Sequence, residues 1–224
     1  MKNKENIAFF DFCETLVNFQ TADAFVDYVA DRSQSIRMKK IESIRRWLYS
    51  HHIITMLTLL SFTRVSVNKK IKLFQLKGFS RSELEMYAMD YYINMIKPNI
   101  IQPVLMKMLH LQNLGYKIII VSGGYDIYLK YFAKDYGIEH VISTRLGYND
   151  NDCCTGRFDG IDCLYKNKVR LLNICFQKEK LYSIAFSDSS SDIPFLSWAD
   201  EGYVISKDRH QKWLDNYNFK EIIW

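Results

Sequence analysis

Five apolar stretches, residues 7–10, 117–121, 140–143, 181–186 and 203–205, constrain the fold most, because each is continuous rather than alternating in polarity. A strand that reads this way is buried on both faces, as inside a parallel sheet covered by helices. Helical patterns fill the intervals at residues 103–114, 126–136 and 166–176. The first two run into Gly115 and Gly137, and glycine is a common stop just past a helix end. Strands and helices alternating at this spacing predict a layered α/β fold with a mainly parallel sheet.

Two intervals depart from that rhythm. Residues 17–97 hold no comparable strand, but they repeat apolar side chains at helical spacing, as at Phe25, Val26 and Val29 and again at Leu84, Tyr87, Ala88, Tyr91 and Tyr92. This predicts a helical domain at 17–97 inserted into a core made of residues 1–16 and 98–224. Residues 145–162, rich in Asn, Asp and Gly around "CCTGRFDG", predict a β-hairpin ahead of the next helix.

Composition narrows the classes. A chain of 224 residues with 48% hydrophobic side chains can build one good core and a smaller module. The net charge of +5 is spread along the sequence, as on a solvated basic surface, and does not argue for a nucleic-acid partner. The apolar run at 53–62 is far shorter than the ~20 residues of a membrane span and reads as a buried helix. No basic segment followed by an apolar run suggests a signal peptide. Five cysteines without paired metal-ligand spacing fit reduced thiols in a cytoplasm.

In open α/β sheets, ligands bind beyond the carboxyl ends of the strands. Three of those ends carry polar residues: Asp11, Ser122 followed by Gly123 and Gly124, and "FSDSSSDIP" with Asp188 and Asp192. Each has an ordinary reading. Asp11 can cap a loop, Ser-Gly-Gly is a common turn, and Asp192 before Pro194 can start a helix. Each also has a chemical one: a hydroxyl with backbone N–H groups suits an anion, and carboxylates four residues apart suit Mg²⁺, which takes few carboxylates and keeps several waters.

Taken together and in order, the motifs resemble the haloacid dehalogenase superfamily, in its phosphoserine-phosphatase-like branch. "FFDFCETL" corresponds to the first motif, "IIIVSGGY" to the second and "AFSDSSSDIPFL" to the fourth, so the resemblance covers essentially the whole chain. The branch has a Cys-x-Gly-x-x-Lys pattern at its third motif. Here "CLYKNK" puts Lys168 at the lysine, with Tyr165 in place of the glycine and Lys166 as the other candidate.

The resemblance implies a Rossmann-like core with a C1-type helical cap and a Mg²⁺-dependent phosphatase. Asp11 is then the nucleophile that forms an aspartyl-phosphate, Ser122, the Gly123 N–H and Lys168 hold phosphate oxygens, and Lys168 also neutralises charge on Asp11. Asp11, Asp188 and the main-chain oxygen of Cys13 are the implied Mg²⁺ ligands, with Asp192 a direct or outer supporter. The implied partner is a small phosphorylated metabolite enclosed between core and cap, with neither nucleic acid nor membrane involved.

Cys13 departs from the pattern, which usually has a second aspartate there to protonate the leaving alkoxide and later deprotonate water. A protonated thiol can donate but serves poorly as a base beside a phosphoryl dianion. Phosphoryl transfer, phosphonate hydrolysis and non-catalytic binding of a phosphometabolite therefore remain rival readings. Glu14 is the nearest alternative carboxylate, and Thr15 matches a threonine that fixes the loop. In the insertion, Arg32, Lys39, Lys40, Arg45 and Arg46 read as the wet face of helices or as contacts to an anion. His51 and His52 read as packed or surface residues, and Tyr87, Tyr91 and Tyr92 as helix packing.

Overall fold

A computed structural model describes residues 4–53, 56 and 67–224. Seven strands lie in one sheet: β1 (Glu5–Phe10), β2 (Lys117–Tyr125), β3 (His140–Tyr148), β4 (Cys154–Asp159), β5 (Leu181–Ser187), β6 (Glu201–Ser206) and β7 (Lys220–Ile223). The sheet order is β4-β3-β2-β1-β5-β6-β7, parallel at every step except the antiparallel β3–β4 pair. All five apolar stretches are strands, as their patterns predict. The expected hairpin is present too, its first arm being the continuation of β3 itself beyond its pairing with β2.

Central β1 explains why the stretches are continuous. Its side chains alternate between faces, and Ala8 and Phe10 join one buried cluster while Ile7 and Phe9 join another. On the first face lie α5 (Gln102–Asn113) and α6 (Asp126–Asp135), contributing Val104, Met108, Leu129 and Phe132. On the second lie α7 (Lys166–Cys175) and α8 (Ile193–Trp198), contributing Leu172, Phe195 and Leu196. Gly115 ends α5 at φ 84°, and the next N–H, of Tyr116, returns to the Leu111 carbonyl at 3.0 Å. This is how a left-handed glycine satisfies the last free carbonyls of a helix.

Between β1 and α5 the described residues form α1 (Thr21–Ser33), α2 (Ile36–Ser50), α3 (Val67–Phe74) and α4 (Arg81–Tyr91), followed by a π turn at Tyr92–Ile96. The start of α4 is fixed by a capping box: Ser80 Oγ accepts the Glu83 N–H while Glu83 accepts the Ser80 N–H. Entry and exit of this helical segment run side by side, since the Ile101 N–H donates to Leu16 and the Asn18 N–H to Asn99. Phe25 and Tyr91 pack on Tyr128, with ring centroids 5.3 and 5.4 Å away, so the segment's apolar side joins the core cluster. The buried helix expected at 53–62 falls almost wholly outside the described residues. Among the described residues, no helix is long and apolar enough to cross a membrane.

Candidate active site

The carboxyl ends of β1, β2 and β5 converge on a cavity of about 370 Å³. Asp11 follows β1 directly, and its backbone N–H extends the sheet by donating to Phe186 at 2.9 Å. Its side chain meets Lys168 from the first turn of α7, with Nζ 3.0 Å from Asp11 Oδ2 and 2.5 Å from Asp192 Oδ2. Lys168 is 2% exposed, whereas Lys166, the other candidate, is exposed. Ser187 also donates to Asp192 Oδ2, at 2.6 Å. Asp192 therefore does not cap α8 with its side chain: it holds the lysine.

Asp188 stands after β5 and accepts a hydrogen bond from Thr15 Oγ1 at 3.1 Å. The threonine thus ties the first motif to the fourth. Burial pushes the Asp11 carboxyl up to about 7, with Asp192 and Asp188 adding to the rise and Lys168 opposing it. Burial likewise raises Asp188, to about 6. For Lys168 burial disfavours the ammonium, yet Asp11 and Asp192 outweigh it and hold the group above the usual lysine range. Carboxylates in excess over ammonium groups in a buried cavity favour cations and the protonation of acids.

Ser122 is fully buried and its Oγ accepts the Gly124 N–H at 3.0 Å, while Gly123 reaches the cavity wall. Both glycines answer a need for space. A Cβ on Gly123 would lie 2.2 Å from Leu164 Cδ2, and one on Gly124 would lie 2.7 Å from the Tyr128 hydroxyl and 3.2 Å from Thr21 Oγ1. Gly124→Ala is accordingly expected to force apart the Thr21–Tyr128 hydrogen bond and to lower stability by about 1–3 kcal/mol. A shift in the urea midpoint measures this, and unchanged stability would contradict the packing.

Cys13 is half-buried on the cavity wall, with Sγ 3.0 Å from Thr21 Oγ1, which in turn lies 2.8 Å from the Tyr128 hydroxyl. Burial, then the charge of Asp11, pushes its thiol up to about 11. Glu14 is exposed, takes a hydrogen bond from Gln20 and shares the cavity with Asp188. All five cysteines are free thiols.

The basic residues of the insertion singled out in the sequence lie away from this cavity. Arg32 pairs with Asp90, Arg45 and Arg46 pair with Glu42, Lys39 donates to Gln34, and Lys40 is exposed. His51 packs at a tilt against exposed Trp47, and His52 is exposed. Tyr91 and Tyr92 are buried and Tyr87 packs against Phe79, in keeping with helix packing. Among the described residues of the insertion, the cationic side chain that reaches the cavity is Lys69 of α3, absent from the sequence-derived candidates. It is buried, donating to the Gly123 carbonyl at 2.8 Å and to Asp162 at 2.6 Å. A single lysine in a helix carries no spacing signal that could have found it.

A larger cavity of about 600 Å³ borders the hairpin and contains Arg81, Lys130 and Arg145. Each of these is already paired with a carboxylate, Asp152, Glu85 and Asp159 respectively. Size does not select the site here; the convergent buried charges around Asp11 do.

Comparison with known proteins bears on the fold and the family. A 92-residue stretch is 36% identical to Protein CicA of Caulobacter vibrioides, covering 41% of this chain and 41% of that protein, well under two thirds of the relative's length. The fold superposes on a protein of unknown function from Bordetella pertussis Tohama I with a TM-score of 0.79, at 18% identity and over 98% and 99% of the two chains. It also superposes on an apo phosphoserine phosphatase, with a TM-score of 0.58 at 20% identity over 90% and 86%. Residues 8–197 match the family profile described as haloacid dehalogenase-like hydrolase, and the chain belongs to that family.

Proposed function

We propose that this hydrolase is a Mg²⁺-dependent phosphatase that cleaves a small phosphorylated metabolite through an aspartyl-phosphate on Asp11. The observation that carries the reading is the buried Asp11–Lys168–Asp192 contact at the end of the central strand, 3.0 and 2.5 Å long. Lys168 screens Asp11 and the incoming phosphoryl group, and Asp192 and Ser187 keep its ammonium aimed. An Asp11 oxygen attacks phosphorus, the P–O bond to the leaving group breaks with its electron pair, and water later cleaves the acyl phosphate. Gly123 and Ser122 form the phosphate cradle, Ser122 through a hydroxyl now turned to Gly124.

The donor set supports a hard divalent cation. Asp11, Asp188 and the Cys13 main-chain oxygen would be few and oxygen-based ligands, and burial raises both carboxyls, which a cation would reverse. That suits an ion that retains several waters. Bound there, it would offset the repulsion between carboxylate and phosphate dianion. Asp192, committed to Lys168, supports the site from outside the ligand set. Residues 17–97 act as a cap over a core of 1–16 and 98–224, and the five free thiols are in keeping with a cytoplasmic location.

Phosphate release from a panel of metabolites, with and without Mg²⁺, tests the reading; no metal-dependent release across the panel rejects it. Asp188→Ala is expected to raise the Mg²⁺ concentration for half-maximal activity by about 10–100-fold. A wild-type Mg²⁺ titration curve in that variant would remove Asp188 from the site. Cys13, a poor base in this setting, favours a second reading, phosphoryl transfer to an acceptor that is already ionised and needs no deprotonation. Recovery of the phosphoryl group on an added carboxylate or phosphate acceptor, in place of free phosphate, distinguishes it.

A further inference from the structure

The chain enters α7 through a turn that most side chains avoid. The Asn167 N–H donates to the Leu164 carbonyl at 3.0 Å, closing a four-residue turn whose first central residue is Tyr165, at φ 51° and ψ −127°. Those angles belong to the first central position of a type II′ turn, where glycine dominates because an L side chain crowds the backbone. Other side chains in this chain take positive φ more cheaply: Gln34, at φ 52° and ψ 23°, occupies the ordinary left-handed well. A tyrosine outside that well is strained, and strain of this kind persists where surrounding structure or function requires it.

Packing does not account for it. Tyr165 is 38% exposed, and among the described residues its ring stacks on no other ring and its hydroxyl has no hydrogen-bond partner. It is, however, part of the wall of the cavity that contains Asp11 and Lys168, beside Leu164 and facing the same space as Gln20 and Asn68 of the insertion. Most of the residues that line the cavity are charged or polar, and Tyr165, Leu164 and Ala22 are apolar exceptions.

We propose that Tyr165 is a specificity-determining residue, its ring packing against the part of the substrate beyond phosphorus and favouring leaving groups with a flat or apolar face. The inference rests on the phosphatase reading above. A glycine at 165 would relieve the backbone, so retention of the ring at this turn is explained by what the ring contacts when substrate is bound.

The test compares wild type, Tyr165→Phe and Tyr165→Gly with phenyl phosphate and acetyl phosphate as substrates and orthophosphate as inhibitor. Tyr165→Gly is expected to melt about 3–6 °C higher than wild type as strain is released. Its kcat/KM ratio of phenyl over acetyl phosphate is expected to fall about tenfold, through KM for phenyl phosphate rather than through kcat or orthophosphate affinity. Tyr165→Phe, which keeps the ring, is expected to restore the ratio but not to gain the thermal shift.

Equal losses on both substrates in Tyr165→Gly would overturn the proposal, pointing instead to misplacement of Lys168. A lower melting temperature with an unchanged ratio would overturn it too, as a packing role. Wild type that cleaves neither compound with Mg²⁺ rejects the inference, and rejects the phosphatase reading with it if the metabolite panel also yields no phosphate, whereas wild-type turnover with an unaltered ratio in the glycine variant rejects the inference alone.

Discussion

Asp11→Asn is expected to release phosphate more slowly than wild type by more than about four orders of magnitude, while remaining folded. An amide is no nucleophile toward phosphorus, and no other carboxylate is as well placed: Asp192 is tied to Lys168 and Ser187, and Asp188 takes its hydrogen bond from Thr15. The stability half of the expectation follows from the electrostatics. Burial raises the Asp11 carboxyl to about 7, so at and above neutral pH its ionised form is held against its preference, and a neutral isostere removes that burden. Lys168 keeps its 2.5 Å contact to Asp192. A melting temperature equal to or above that of wild type, with activity gone, fits both halves. Metal-dependent turnover near the wild-type rate, in a preparation free of wild-type enzyme, would remove Asp11 from the role of nucleophile.

Much of this site was legible because the sheet makes it so. Strands β1, β2 and β5 are covered on both faces, which forces continuous apolar runs, and the residue after each run lands at the carboxyl edge whatever else the chain does. Strand β7 escaped detection for the opposite reason. It is an edge strand of four residues, "KEII", with no buried side chain, and it is held by its register with β6. The orientations of the acids were equally out of reach. Spacing places Asp188 and Asp192 at one loop, but only the fold shows that one faces Thr15 and the other faces Lys168. Lys69 and Asp162 lie 93 residues apart and meet through tertiary packing alone. Tyr165 was visible as a missing glycine, whereas its conformational consequence required the turn itself.

The chain departs from the family pattern at Cys13, and on the proposed function Cys13→Asp is expected to accelerate alkyl phosphate cleavage by about 10²-fold or more. In the wild type the thiol is pushed up to about 11, so at neutral pH it is protonated and cannot take a proton from water. Its Sγ also faces Thr21 Oγ1 at 3.0 Å, a contact that an aspartate preserves because the threonine hydroxyl can donate to it. The new carboxylate joins a cavity already crowded by Asp11, Asp188 and Asp192, so the gain in rate is expected to come with a lower melting temperature in the absence of divalent cation. Aryl and acyl phosphates, whose leaving groups need little protonation, are expected to gain less than about tenfold in the first step. Single-turnover kinetics separates phosphorylation of Asp11 from hydrolysis of the acyl phosphate: a base at position 13 speeds the second step for every substrate, and an acid speeds the first step for alkyl esters only. If chemistry limits both reactions and Cys13→Asp changes alkyl and aryl esters equally in the first step, the side chain at 13 is not the acid, and Glu14, exposed on the same cavity and bonded to Gln20, becomes the group to replace next.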